Sequence, residues 1–201
     1  NVDKLGPDIY LFSSYKTYGP HQGIMVIRRD LGMTLPNQGH YFNEGSLSKR
    51  FTPAGPDHAQ IAACAGMIDY IDALAEHHRG PTASATERGA QAHDLMRAHE
   101  VKLLQPLLDY LKSKNSVRLI GPTDAGKRAP TVAVALREPG AAVAARLAKH
   151  GVMAGGGDFY GVRVIRALGE DPDHGVLRLS FVHYTTKAEI NQLLNALDAE
   201  L

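Results

Sequence analysis

The sequence has little cysteine, no long apolar run and almost no net charge. One cysteine among 201 residues cannot form an intrachain disulfide, and such usage is typical of a reducing compartment, so we expect the cytoplasm. A formal net charge of +1 argues against a dominant surface for nucleic acid or anionic membrane, which would need a basic stripe. No apolar run is long enough to span a bilayer, and the first residues show no secretory pattern. No nucleic-acid or membrane partner is therefore expected.

The remaining composition is that of a soluble globular protein. Hydrophobic residues make up 44% of the chain, and 201 residues suffice for one large or two small domains. No internal repeat or low-complexity stretch is present.

Short apolar segments bounded by turn residues predict strands, and longer segments with helical periodicity predict helices. Strands are predicted at Ile9–Phe12, Gly23–Ile27, Val117–Ile120, Thr131–Leu136 and Leu177–Phe181. Helices are predicted at about Asp57–His77, from Ser84 through Leu107, at Ala141–His150 and at Lys187–Leu201. Residues 28–51 are rich in turn formers and are predicted to be irregular and partly exposed.

Two helices carry additional local signals. Asp57 and Gln60 form a capping-box pattern, and the apolar residues that follow place Cys64 in the middle of a buried helix, where a thiol is usually inert. In the next helix, Pro106 lacks an amide donor and its ring crowds the preceding turn, so a kink is expected there.

The residues around Lys16 have the clearest chemical content. Ile9–Phe12 is interpreted as a buried strand, so Ser13 and Lys16 lie in the loop at its carboxyl end, where open α/β sheets bind ligands. A lysine amine can hold an aldehyde cofactor covalently, and the Ser13 hydroxyl can bind a phosphate. The spacing alone leaves a solvated lysine on a turn as the alternative.

Three ordered motifs resemble the class V aminotransferase family of fold type I pyridoxal 5'-phosphate (PLP) enzymes. The motifs are Asp-Ile-Tyr-Leu-Phe-Ser at 8–13 with Lys16 and Tyr-Gly-Pro at 18–20, Arg-Phe at 50–51 with Gly-Pro-Asp at 55–57, and Leu-Arg-Leu-Ser-Phe-Val-His-Tyr-Thr-Thr at 177–186 with Glu189. The family includes cysteine desulfurases, selenocysteine lyases, isopenicillin N epimerase-like proteins and several aminotransferases.

The resemblance implies a role for three residues. Lys16 would be the Schiff-base lysine and proton shuttle, Ser13 a phosphate ligand, and Arg178 the clamp on the α-carboxylate of an amino-acid substrate. A planar guanidinium can donate two parallel hydrogen bonds to a carboxylate and so orient the substrate. Without the resemblance, Arg178 would equally suit a strand arginine paired with a surface carboxylate.

The sequence departs from the family pattern at three places. Tyr15 stands where many desulfurases have a histidine that contacts the cofactor, and Gly55 replaces a threonine that reaches the phosphate of the neighbouring subunit. Both remain candidate cofactor contacts, Gly55 through its amide. Residues 154–158, Ala-Gly-Gly-Gly-Asp, lack the loop cysteine that accepts sulfur in desulfurases, and Cys64 is the only cysteine. Persulfide chemistry is therefore disfavoured.

His21 and His40 are candidate substrate contacts because both lie in loops that could border the cofactor. Surface-loop histidines are the alternative interpretation for both. His77-His78 and the pair His93 and His99 lack the spacing of a zinc site on one helical face, so no metal is predicted.

Residues 121–128, Gly-Pro-Thr-Asp-Ala-Gly-Lys-Arg, resemble a P-loop in their glycine and lysine spacing. Arg128 occupies the Ser/Thr position that would bind magnesium, and a strand follows instead of a helix. The segment is predicted to connect two strands.

The resemblance implies an α/β protein of PLP-dependent transferase fold type I. Residues 1–82 would be the end of the large-domain sheet, and residues 83–201 the linking helix and the small carboxyl-terminal α+β domain. Only fifteen residues precede Lys16, whereas the family's pyridinium partner, ring-stacking residue and phosphate turn lie further upstream. We expect a carboxyl-terminal half that is inactive alone and whose enzyme is a homodimer.

The expected function is amino transfer or epimerisation of an amino acid through a Lys16 Schiff base with PLP. A desulfurase or selenocysteine lyase-like enzyme is one alternative. A non-catalytic interaction domain that retains the fold is the other.

Overall fold

The computed structural model describes residues 2–52, 54–80 and 84–201. The chain divides into two compact units, Asn1–Ala92 and His93–Leu201. The domain boundary predicted between residues 82 and 83 lies outside the described residues.

The first unit combines a two-stranded sheet with short helices. Its strands, β1 (Ile9–Ser13) and β2 (Gly23–Ile27), are antiparallel, with Ile9 opposite Ile27 and Ser13 opposite Gly23. Its helices are α1 (Val2–Leu5), α2 (Arg29–Thr34), α3 (Leu47–Phe51), α4 (His58–Ala63) and α5 (Ala65–Arg79). Single 3-10 turns occupy Ser14–Thr17 and Tyr41–Asn43.

The described part of the first unit has a sparse apolar core. Its only buried apolar side chains are those of Ala75 and Ala92, whereas Leu11 is 68% and Ile68 56% exposed. The prediction of a buried strand at Ile9–Phe12 was therefore wrong: most of β1 is exposed, because its sheet contains only one other strand and both strands lie at an edge.

The second unit is built on a four-stranded antiparallel sheet of order β3-β4-β6-β5. The strands are β3 (Arg118–Ile120), β4 (Thr131–Ala135), β5 (Gly155–Gly157) and β6 (Val176–Ser180). The helices are α6 (Ala85–Ser113), in which the division between the units falls, α7 (Gly140–Ala148), α8 (Val162–Ala167) and α9 (Lys187–Glu200). A 3-10 turn occupies Ala125–Lys127.

The two faces of this sheet differ because side chains alternate along each strand. Leu177 and Leu179 of β6 belong to a buried cluster that takes in leucines of α6, α7 and α9. On the opposite face Val176 packs with Ile165 of α8, and Arg178 is exposed. One face therefore forms the core and the other presents a polar side chain.

Helix boundaries follow the predicted signals at several ends. A capping box of Thr186 and Glu189 opens α9. At the start of α6, the Ser84 hydroxyl donates to the Glu87 carboxylate and accepts from the Glu87 amide. Helix α6 continues through Pro106, and the kink stays a prediction. The segment resembling a P-loop connects β3 to β4, as predicted.

Other predictions need correction. Residues 28–51 were predicted to be irregular but contain the helices α2 and α3. Both helices are too short to display helical periodicity in the sequence. The single helix predicted at Asp57–His77 is split at Cys64, although Asp57 caps its start by accepting a hydrogen bond from the Gln60 amide. Cys64 is only partly buried, and the neighbouring Ile61 and Ile68 are 45% and 56% exposed.

None of the described helices is both long and apolar enough to cross a membrane. Within the same residues, no cluster of three or more histidine, cysteine, aspartate or glutamate side chains could hold a metal ion.

Candidate functional site

Lys16 lies in a loop, residues 14–22, that we call the lysine loop. Its organising residue is Ser14, whose side chain is fully buried. The Ser14 hydroxyl donates toward the carbonyl oxygens of Pro20 and Gln22, at 2.5 and 2.9 Å. The Ser14 amide also donates to Gln22, and the Ser14 carbonyl accepts from Gly19. These bonds close the loop on itself.

The turn residues of the lysine loop explain its close approach to α5. Tyr18 adopts a left-handed conformation with φ of 68°. A Cβ added at Gly19 would lie 2.3 Å from the Met67 sulfur, so only glycine fits there without displacing that side chain. The Gly-Pro pair in the sequence therefore marks a packed turn.

The loop presents Lys16 to an open cavity of about 650 Å3 that is lined by β1, β2 and Phe51. Ser13 and Lys16 both line this cavity. Ser13 does not cap the 3-10 turn that it precedes, and its side chain has no hydrogen bond among the described residues, so the hydroxyl is available. An exposed amine and an available hydroxyl in a cavity of this size fit a small aldehyde cofactor that carries a phosphate.

Tyr15 and His21 form the aromatic part of the lysine loop. Their rings stack with centroids 4.6 Å apart and an angle of 4° between their planes. The Lys16 ammonium lies 5.6 Å from the centroid of the Tyr15 ring. Four of the predicted residues are thus brought together around one loop.

His40 and Gly55 are not among the described residues that line the cavity with Lys16. The His40 ring stacks on Phe42 with centroids 4.0 Å apart, in an exposed turn. Gly55 has a φ of +69°, a conformation that threonine would adopt only with strain. Glycine suits this backbone conformation.

Arg178 lies in the second unit, on the exposed face of β6, opposite Gly155 of β5 and Ala133 of β4. Its guanidinium carbon is 3.9 Å from the centroid of the Phe159 ring. Within the described parts of the chain, the guanidinium has no hydrogen bond or ion pair, so its N–H groups are available to a ligand. The pairing with a surface carboxylate, which the sequence left open, is not found there.

Sequence reasoning missed Ser14 and Phe159. The sequence offers two adjacent serines, and only the folded loop distinguishes the inward Ser14 from the cavity-lining Ser13. Phe159 follows three consecutive glycines, a signal that could have drawn attention to close packing at that point. Cys64 lies in the first unit, where its thiol contacts the Gln60 carbonyl at 3.3 Å.

The fold is that of PLP-dependent transferases of fold type I. The apo structure of a cysteine desulfurase from Thermococcus onnurineus NA1 superposes with a TM-score of 0.76 at 24% sequence identity, covering 99% of this chain and 48% of that chain. The chain thus comprises the end of the large-domain sheet and a small α+β domain.

The chain belongs to the aminotransferase class-V family, whose model matches residues 1–193. It is 30% identical over 206 residues to the aminotransferase-like protein FGM3 of Gibberella zeae, covering 100% of this chain and 48% of that protein. It is 25% identical over 217 residues to a probable cysteine desulfurase of Pseudomonas putida, covering 100% of this chain and 47% of that protein. The chain therefore spans about half the length of these relatives. Enzymes of this family are PLP-dependent, as the resemblance implied.

Proposed function

We propose that this chain is the carboxyl-terminal half of a PLP-dependent class V aminotransferase-like enzyme. The enzyme acts on an amino acid, by amino transfer or epimerisation. The observation that carries the proposal is the shared cavity of Lys16 and Ser13 at the end of β1, in a loop closed by buried Ser14.

Each cofactor contact follows from an available group. The Lys16 amine would hold the cofactor aldehyde, the Ser13 hydroxyl would donate to the phosphate, and the Gly55 amide would be a second donor. Tyr15, stacked on His21, would contact the cofactor ring. When bound, PLP withdraws electrons from the substrate Cα. Lys16 would then move a proton to or from that carbon.

The substrate would be held through its carboxylate by Arg178. Its guanidinium has no competing acceptor among the described residues, and a fork of N–H donors matches a carboxylate. His21 and His40 are proposed as further substrate contacts from their exposed positions in loops.

A desulfurase or selenocysteine lyase-like reaction is the second candidate, and the names of several relatives favour it. Against it, residues 154–161 contain no cysteine, and Cys64 is engaged with a helix carbonyl in the first unit. Amino transfer or epimerisation is therefore preferred. A persulfide detected by mass spectrometry on Cys64 after incubation with cysteine would reverse that preference.

The proposal also includes an amino-terminal half, a second subunit and a cytoplasmic location. The exposed apolar side chains of the first unit suit a surface covered by an amino-terminal half, and a homodimer would follow family architecture. The 201-residue chain alone would then be inactive, and the enzyme would be cytoplasmic.

The deciding experiment is borohydride reduction of the whole enzyme after addition of PLP, followed by peptide mapping. A pyridoxyl adduct on Lys16 is expected, and it should be lost in Lys16→Ala. The matched control is Lys49→Ala, which removes another exposed lysine of the first unit and should retain the adduct. An adduct pattern unchanged by Lys16→Ala would instead favour a non-catalytic interaction domain.

Substrate capture is tested separately by Arg178→Ala in the same enzyme. The KM for the amino acid turned over fastest should rise by roughly 10- to 100-fold, since the variant loses charge-assisted hydrogen bonds. An unchanged kcat/KM would contradict the carboxylate role.

A further inference from the structure

Arg178 is held by a loop in which the backbone is unusual. Phe159 and Tyr160 have φ of 52° and 62°, so two consecutive residues other than glycine adopt the left-handed conformation. Asp158 stabilises the turn: its carboxylate accepts from the Tyr160 amide at 3.0 Å, and its carbonyl accepts from the Gly161 amide at 2.8 Å. Such conformations persist where surrounding contacts determine them.

The glycines before this turn create the space for the Phe159 ring. Gly155 is the register partner of Arg178, and side chains of paired residues share one face of a sheet. A Cβ at Gly155 would lie 3.0 Å from the Phe159 ring, so the ring occupies the place that a side chain at 155 would take. Gly156 is required for a different contact, because its Cβ would lie 2.1 Å from the Ala141 amide nitrogen.

The Phe159 ring therefore lies between the β5 backbone and the guanidinium of Arg178. The guanidinium carbon lies over the ring at 3.9 Å from its centroid, within the range of a cation–π contact. A guanidinium that stacks flat on an aromatic ring keeps its N–H edges for a planar acceptor.

Arg178 and Phe159 line a second cavity, of about 390 Å3, within the second unit. The other charged groups around this cavity do not compete for the role of Arg178. Arg128 lines the cavity but donates to the carbonyl oxygens of Pro122 and Thr131 at 2.8 and 2.9 Å. Asp158 also lines it, and among the described residues it forms no ion pair with Arg178. Among the described residues, Arg178 therefore contacts an aromatic ring and no counter-ion, so its charge is not paired within them.

We propose that Phe159 is the positioning residue of Arg178: its ring holds the guanidinium flat, so that the N–H edges can bind a substrate carboxylate. The carboxylate role of Arg178 belongs to the proposed function. The orientation by Phe159 is a new element, and it predicts that carboxylate binding depends on a ring at position 159.

The experiment is an NMR titration of the whole enzyme, labelled with 15N-arginine, with propionate as the carboxylate probe. The Arg178 Nε–H signal is assigned by its loss in Arg178→Lys. In the unmodified enzyme this signal should carry an upfield ring-current shift and should move on addition of propionate.

Three variants distinguish an effect of the Phe159 ring from a general effect on the loop that carries it. Phe159→Leu keeps apolar volume but removes the ring, Phe159→Tyr restores a ring, and Tyr160→Leu removes a neighbouring exposed ring from the same left-handed backbone. Phe159→Leu should abolish the ring-current shift and raise the Kd for propionate by roughly 2- to 30-fold, the range for losing a cation–π contact. Phe159→Tyr and Tyr160→Leu should stay within about twofold of the unmodified enzyme.

An unaltered Arg178 signal and Kd in Phe159→Leu would overturn the proposal, as would an equal loss in Tyr160→Leu. The titration does not require PLP, so its outcome is distinct from that of the adduct experiment. Dependence of propionate binding on Phe159 without a Lys16 adduct would support the positioning role and reject the proposed function. An adduct on Lys16 with no dependence of propionate binding on Phe159 would support the proposed function and reject the positioning role.

Discussion

The two units of this chain bury their apolar side chains to very different extents. In the second unit, leucines of α6, α7, α9 and β6 form a continuous core around Leu107 and Leu177, both fully buried. In the described part of the first unit, no large apolar side chain is fully buried. The largest side chain of any kind that is fully buried there is the polar one of Ser14. One unit is organised by apolar packing, the other mainly by local hydrogen bonds.

The two units also differ in how they position Arg178 and Lys16, the residues of greatest chemical interest. The second unit holds Arg178 on the face of β6 opposite to the main core. The first unit holds Lys16 in a loop closed by the hydrogen bonds of Ser14. Lys16 is therefore positioned by local hydrogen bonds more than by a core of its own unit, and we expect that unit to gain more stability than the second one when further polypeptide packs on it.

The strongest way to break this comparison is to shorten one apolar side chain in each unit. Leu108→Ala in the second unit should cost about 2–5 kcal/mol, because the side chain is fully buried and a cavity remains. Ile68→Ala in the first unit should cost less than about 1 kcal/mol, since that side chain is 56% exposed. Urea unfolding of the 201-residue chain, with hydrogen exchange read in β4 and α5, measures both. Equal costs would show that the face of α5 is covered in solution.

Substituting one glycine in each unit by alanine compares the two units at the backbone. Gly156→Ala places a Cβ 2.1 Å from the Ala141 nitrogen and should destabilise the second unit by about 1–3 kcal/mol or more. Gly89→Ala, in helix α6 within the first unit, meets no atom within 4 Å and should stabilise by about 0.5–1 kcal/mol. Thermal unfolding midpoints should move in opposite directions. A loss of stability in Gly89→Ala would contradict the open space seen there.

The smallest expected effect is in the acid dependence of stability. Hydrogen bonding to Arg146 lowers the pKa of Glu138 from its ordinary 4.5, and hydrogen bonding to Arg88 lowers the pKa of Asp72 from 3.8. A carboxyl with a lowered pKa in the folded state contributes stability above its ordinary pKa and loses it as the pH falls through the lowered value. Glu138→Gln and Asp72→Asn should therefore each flatten the decline on acidification.

Urea midpoints measured from about pH 6 down to pH 2.5 follow this decline in the second unit with Glu138→Gln and in the first with Asp72→Asn. Both changes should be small, because pairs with solvent access are screened. A steeper decline in either variant would show that the removed carboxylate was unfavourable in the folded state.

Much of this molecule could be predicted from local sequence patterns. The strands β2, β4 and β6 lie within one residue of their predicted bounds at each end, because alternation and turn residues mark strands locally. The family assignment was confirmed by the match over residues 1–193. The roles of Lys16, Ser13 and Arg178 stay predictions, although the cavity and the available donors suit them.

The burial of β1 and of Cys64 could not be predicted from the sequence, because burial depends on which elements pack over them. The sequence indicates that β1 is apolar but not whether a second layer covers it, so the expectation of burial was wrong. Likewise, the apolar spacing around Cys64 indicated a helix, while the break there and the partial exposure of the thiol depend on packing in three dimensions.

The sequence by itself determined the family, the strands β2, β4 and β6, the helices α6, α7 and α9, and the residue types that could hold a cofactor and a carboxylate. These properties reside in short segments whose backbone preferences act between near neighbours. Only the tertiary structure decided that Ser14 closes the lysine loop and that Phe159 lies against Arg178. Each such contact joins residues separated along the chain, and it forms only once turns and sheet register have brought their side chains to the same place.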